Sequence, residues 1–293
     1  MFNQAQACLC RLLLASLAAF LFSAGARADN NTIVYAALGD SIAAGVGANT
    51  TQAYDLSSCG RMQGAYPVLW AQAHQIPASQ FSFVACGGAK TTDVINSQLS
   101  ALSAATTLVT VSAGGNDANG IQTIIDCSPP NLPYPIDGLN QLLPCAQSIA
   151  TFTSFVQNNL PALLDTMYKQ IKAAAPNAVI IANGLHGSFE LPPNDGACNL
   201  VTTLLAVVPD QQNRQALSTA GQLLNNTIQT VAAANGVIYA DPYPFFNGHR
   251  ICSYNPWINT VVPGLITAYH PTADGYSLGY LPAINAAAAS AGF

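Results

Sequence analysis

What most narrows the fold is a recurring unit: a short apolar run, a turn, then a helix-like stretch. Ile33–Leu38 (IVYAAL) is rich in β-branched and aromatic residues and ends at Gly39, as a buried strand entering a turn does. Phe81–Ala85, Leu108–Ser112, Ala178–Ala182 and Gly236–Ala240 have the same form. Between these runs, Tyr66–His74 carries Pro67 at an early helical position, where a missing N–H is tolerated. Ser154–Ala175, Gln211–Ala234 and the alanine-rich Thr272–Ala289 space their apolar residues as helices do. Strands alternating with helices predict a three-layer α/β/α sandwich around a mostly parallel five-stranded sheet. Ligands of such sheets lie at the carboxyl ends of the strands, so the residues that follow each strand are the candidates for chemistry.

Leu12–Phe22 (LLLASLAAFLF) follows Arg11 and precedes Ala26-Arg27-Ala28, the order of a secretory signal peptide with a small-x-small cleavage site. The run is well short of the ~20 residues of a membrane-spanning helix, and no later stretch is long and apolar enough either. Residues 1–28 are therefore expected to be removed, leaving 29–293 as a single secreted domain; a retained N-terminal anchor is the alternative. Without Arg11 and Arg27 the mature chain has 6 basic and 13 acidic residues, a net charge of about −7. That balance repels phosphate backbones, and with no basic run present no nucleic-acid partner is expected. A monomer is expected.

Six cysteines follow the leader: Cys59, Cys86, Cys127, Cys145, Cys198 and Cys252. An even number in an exported chain predicts three disulfides, with all fifteen pairings open. No pair has C-x-x-C spacing and no histidine stands at zinc-ligand spacing beside them; no metal or other cofactor is expected. The Pro-rich stretch Ser128–Pro144 reads as a surface loop between Cys127 and Cys145. Phe189–Cys198 and Pro242–Gly264 read as irregular.

Four strand-end or helix-start motifs carry the functional reading. Gly39-Asp40-Ser41 places a serine on a glycine turn directly after a strand, although a serine there is also a common helix N-cap. Cys86-Gly87-Gly88-Ala89 offers glycine N–H groups that no side chain shields. Gly114-Gly115-Asn116-Asp117 adds an amide donor able to face a developing oxyanion. His270-Pro271-Thr272 opens the last helix, with Pro271 biasing His270 to an extended conformation outside it. A histidine is the usual general base near neutral pH.

The order of these blocks resembles the SGNH (GDSL-like) hydrolase family over roughly residues 33–280, nearly the whole mature chain. Ser41, a glycine of the second block (Gly88, or alternatively Gly87), Asn116 and His270 fall on the four positions that name the family. The resemblance is to its extracellular lipase and esterase branch known from actinobacteria, as is the run Gly248-His249-Arg250-Ile251-Cys252 followed by Pro256-Trp257-Ile258-Asn259. It implies Ser41 as nucleophile, His270 as general base, Asn116 and Gly88 as oxyanion donors, and the sequential disulfides Cys59–Cys86, Cys127–Cys145 and Cys198–Cys252. No G-x-S-x-G elbow is present to indicate the other common serine hydrolase fold. The family usually has Asp three residues before the histidine, where this chain has Thr267. Some members of the branch use a main-chain carbonyl instead, and the Thr267 carbonyl is expected to accept the Nδ1–H of His270. Asp241 and Asp274 are the rival carboxylates.

The expected activity is hydrolysis of lipid or simple acyl esters through an acyl-enzyme. Polysaccharide O-acetyl ester hydrolysis on the same fold is the runner-up, and a non-catalytic lipid- or carbohydrate-binding relative is the rival of another class. Of the other histidines, His74 reads as a helix cap, His186 as a possible cleft residue and His249 as structural. Asn30, Asn49 and Asn225 begin N-x-Ser/Thr sequons, leaving glycosylation open.

Overall fold

The computed structural model describes residues 32–48, 53–55, 57–128, 143–198, 208–260 and 267–293. The expected leader, most of the Pro-rich stretch, and Asn30 and Asn49 lie outside them. Ile33–Phe293 forms one unit. Its five strands are β1 (Tyr35–Gly39), β2 (Phe81–Phe83), β3 (Leu108–Ser112), β4 (Val179–Asn183) and β5 (Ile238–Ala240). They form a single sheet in the order β2-β1-β3-β4-β5, every pair parallel. Connections run outward in opposite directions from the β1/β3 pair, so this pair is the topological switch point where such sheets open a crevice.

Both faces of the sheet are covered, which is why its strands are apolar throughout rather than alternating. Tyr35 and Ala37 point into one core with helix α2 (Tyr66–Ala73) and the C-terminal helix α7 (Leu281–Ser290). Ala36 and Leu38 point into the other, with α4 (Cys145–Asn158), α5 (Leu160–Ala174) and the long α6 (Gln211–Ala234). Two short helices, α1 (Ser41–Ala44) and α3 (Gly120–Asp126), follow β1 and β3.

The helix expected over Ser154–Ala175 starts earlier, at Cys145, and is two helices meeting at Asn159. Pro161 lies in the first turn of α5, where it needs no N–H, whereas a continuous helix would lose a hydrogen bond and crowd the preceding turn. The last helix differs too. Residues 275–280 form a π-helical turn before α7, and Pro282 sits in the first turn of the regular helix. The disulfides are Cys59–Cys86, Cys127–Cys145 and Cys198–Cys252, the sequential pairing that the resemblance implies. Among the described residues no helix is long and apolar enough to cross a membrane.

Candidate active site

β1 ends at Gly39, whose φ of +120° and close approach to the Ser112 carbonyl of β3 leave no room for a Cβ. Only glycine allows this turn. The buried amide of Gln98 holds it from the side: Oε1 accepts the Gly39 N–H at 2.7 Å and Nε2 donates to the Gly39 carbonyl at 2.9 Å. Asp40 then caps α1, accepting the Ile42 N–H at 3.0 Å. Asp40 rather than Ser41 is thus the N-cap, and Ser41 occupies the first helical position with its hydroxyl free for another partner.

That partner is His270, whose Nε2 lies 2.7 Å from Ser41 Oγ. The two residues are 229 positions apart in sequence. Asn259 anchors the His270 segment: its main chain and side-chain amide both donate to the His270 carbonyl, at 2.8 and 3.0 Å, and the same amide reaches the Gly47 carbonyl beside α1 at 3.3 Å.

On its other side, His270 Nδ1 is 2.9 Å from the carbonyl of Ala268. The Thr267 carbonyl accepts the His270 main-chain N–H at 3.1 Å, and with the Ala268 carbonyl it also acts on the ring in favour of its protonated form, so the place expected of Thr267 is shared with Ala268. The cause is Tyr269, at φ +61°. A positive φ at the third residue of a four-residue turn flips the central peptide, which turns the Ala268 carbonyl toward the ring. No carboxylate among the described residues bonds to His270. Asp241 is exposed and accepts the Tyr243 N–H at 3.0 Å, and Asp274 is exposed. A carbonyl only accepts, so Nδ1 carries a proton and Nε2 presents its lone pair to the Ser41 hydroxyl. Burial pulls the His270 pKa below its ordinary value, with the Ala268 and Thr267 carbonyls opposing the shift. Beneath Ser41, burial lifts Asp40 to about 7, against hydrogen bonds from Ser112, Ile42 and Ala43.

Asn116 follows β3, and its Nδ2 donates one hydrogen to the Ala89 carbonyl at 3.0 Å. The second amide hydrogen remains for a ligand. Asp117 ties the same two loops together, accepting from the Thr91 hydroxyl at 2.6 Å and from its N–H. In the loop after β2, the Gly87 N–H is committed to the Cys59 carbonyl at 2.8 Å. The N–H of exposed Gly88, at φ +78°, has no partner among the described residues, and neither has that of Ser41. Gly88 is thus the glycine of this pair with a donor to offer.

Ser41, Asn116 and His270 line one cleft, whose walls are largely apolar. Gly88 is not in that lining and lies one residue from Ala89. His186 is buried in the lining, with Nδ1 3.0 Å from the Tyr280 hydroxyl. Burial, with the nearby charges of His270 and Arg250, pushes its pKa down to about 3. It is neutral under working conditions and bonded elsewhere, so it is no rival base. His74 and His249 stack on Trp70 and Trp257, away from the cleft. Asn225, one of the sequon asparagines, is buried, with its amide bonded to the N–H and carbonyl of Leu185 at 2.7 and 2.8 Å. That amide is closed to glycan transfer.

Acyl transfer from an ester requires a nucleophile, a base that is neutral in use, and a donor that can face the carbonyl oxygen. This cleft gathers candidates for each from the ends of β1 and β3 and from the segment that opens the last helix, and fold and site together define a serine-type ester hydrolase. The profile of the GDSL-like Lipase/Acylhydrolase family matches residues 37–278. Lipase 1 of Streptomyces coelicolor is 38% identical over 282 residues, covering 94% of this chain and 96% of its own. The crystal structure of an extracellular lipase from Streptomyces rimosus superposes with a TM-score of 0.74 at 36% identity, covering 86% of this chain and 98% of that one. A phospholipase A1 from Streptomyces albidoflavus gives a TM-score of 0.72 at 36% identity over the same shares. The chain belongs to the GDSL-like lipase/acylhydrolase family.

Proposed function

We propose that this protein is a secreted carboxylic-ester hydrolase in which Ser41 is the nucleophile, His270 the general base and acid, and Asn116, Gly88 and Ser41 N–H the oxyanion donors. The observation that carries the reading is the 2.7 Å contact between Ser41 Oγ and His270 Nε2. In the first half-reaction His270 takes the Ser41 proton as Oγ bonds to the ester carbonyl carbon. The tetrahedral oxyanion rests on the three donors. As it collapses, the carbon–oxygen bond to the alcohol breaks and the imidazolium protonates the departing alkoxide, leaving an acyl-serine. In the second, His270 deprotonates water, which attacks the acyl-serine. The acid leaves and the proton returns to Ser41.

The Ala268 carbonyl fixes the imidazole tautomer, the geometric part of the task of a triad aspartate. The apolar cleft walls favour a fatty acyl group over a sugar-borne acetate. Secretion after cleavage of residues 1–28 is supported by the leader pattern and by three disulfides, which persist in oxidising compartments.

Diethyl p-nitrophenyl phosphate tests the reading. Ser41 Oγ should displace p-nitrophenolate from phosphorus in a stoichiometric burst, and peptide mass analysis should find the diethylphosphoryl group on Ser41. Hydrolysis of p-nitrophenyl butyrate that survives with Ser41 unmodified would overturn it. The pH profile offers a separate check. The base works only when neutral, so kcat/KM falls as pH drops through the pKa of His270. Burial lowers that pKa, and among the described residues no carboxylate bonds to the ring to raise it, so the acid limb is expected below about pH 6.5. A limb centred above that value, in p-nitrophenyl acetate assays, would mean that an anion stabilises the imidazolium.

A further inference from the structure

We propose that Gly221 determines acyl-chain length, because its missing side chain keeps open the part of the cleft that takes the tail of a fatty acyl group. The proposal rests on the ester-hydrolase reading above. It starts from an anomaly in α6: a glycine in the middle of a 24-residue helix, where only proline is a poorer choice.

Glycines are kept inside helices for two ordinary reasons, and neither applies. The backbone there is not left-handed, since Gly221 is absent from the positive-φ positions. Nor does a neighbour press on it, because a Cβ built at Gly221 meets nothing within 4 Å among the described residues. At Gly184 and Gly279, by contrast, a Cβ would run into the rings of Tyr239 and Phe246.

The open space is the cleft itself. Leu217, Gly221 and Leu224 all line it, as does Phe152 of α4. The spacing of 217, 221 and 224 is that of one helix face, spanning about 10 Å along the axis at 1.5 Å per residue. Gly221 is the notch between two leucines on that face. Among the described residues the cleft lining includes no lysine or arginine, so the wall around the notch suits hydrocarbon rather than an anionic head group. The same cleft holds Ser41 and His270, so a chain esterified at Ser41 can extend along α6.

The test compares kcat/KM for p-nitrophenyl decanoate and p-nitrophenyl butyrate in wild type, Gly221→Leu and Gly221→Ala. Leucine is a far better helix former than glycine, so Gly221→Leu should fold while filling the notch. The decanoate-to-butyrate ratio should fall by roughly tenfold or more, the scale on which a hydrophobic pocket discriminates by size. An unchanged ratio overturns the proposal. Gly221→Ala should raise Tm by about 2–4 °C, since it removes backbone freedom from the unfolded chain without a clash. If Gly221→Leu does not fold, the alanine variant decides. A raised Tm with a lowered ratio supports the assignment, and a lowered Tm or an unchanged ratio overturns it. Failure of the underlying reading looks different: wild type would then hydrolyse neither ester.

Discussion

Ser41→Ala and His270→Ala are each expected to lower kcat by roughly 10⁴–10⁶-fold, with the double variant losing no more than the worse single one. The non-additivity follows from the geometry. The hydroxyl attacks only when its proton has somewhere to go, and the His270 Nε2 contact at 2.7 Å is where it goes. Once either partner is missing, the other has no task left in bond formation. Residual catalysis over water, about 10³–10⁴-fold, should persist in all three variants, because oxyanion donors and substrate binding are untouched. None of the substitutions should unfold the protein. Ser41 sits on a turn fixed by Gln98 and Gly39, and the His270 segment is held through its main chain by Asn259. The measurements are kcat on p-nitrophenyl butyrate and Tm for each variant. Losses that multiply in the double variant would mean that the two residues act independently, which would sink the dyad.

How much of this was readable from the chain depended on how far each cause reached. The strands and the motifs after them are local. IVYAAL ending in glycine announces a buried strand and a turn, and the β-strand positions differ from expectation by only a few residues at their ends. The sheet order was not readable, because nothing in a single strand's composition says which neighbour it takes. The join at Asn159 is not legible, for a definite reason. Apolar spacing continues through Leu160 and Leu164 as if one helix ran on, and Pro161 has the same residue type whether it kinks one helix or opens a second. The part that the Ala268 carbonyl takes beside Thr267 at the His270 ring is not legible, since it depends on the sign of φ at Tyr269, and tyrosine gives no warning of a left-handed conformation. The amides that hold the site in place were silent. Gln98 grips Gly39 from 59 residues away and Asn259 reaches Gly47 across 212. Side chains that bond to distant main chain leave no spacing pattern. Asn225 left a misleading one, a sequon whose amide is spent on Leu185.

Asn116→Ala is expected to lower kcat by about 10²–10³-fold, equivalent to ~2.7–4 kcal/mol of transition-state stabilisation, with KM changed little. The amide has two hydrogens, and the Ala89 carbonyl takes one at 3.0 Å. That bond fixes the direction of the group without consuming it, so the second hydrogen can meet negative charge as it develops on the carbonyl oxygen. A donor aimed at the oxyanion is worth little to the uncharged ester, which is why the loss should fall on kcat rather than on binding. The alanine also frees the Ala89 carbonyl, a structural cost of about 1 kcal/mol, or roughly 2–4 °C in Tm. The two effects separate cleanly. A merely structural asparagine would show the Tm shift with kcat nearly intact, whereas an oxyanion donor shows a kcat loss far larger than so small a change in stability can produce. A kcat within a few-fold of wild type would remove Asn116 from the oxyanion hole and leave it as the tie between the loops after β2 and β3.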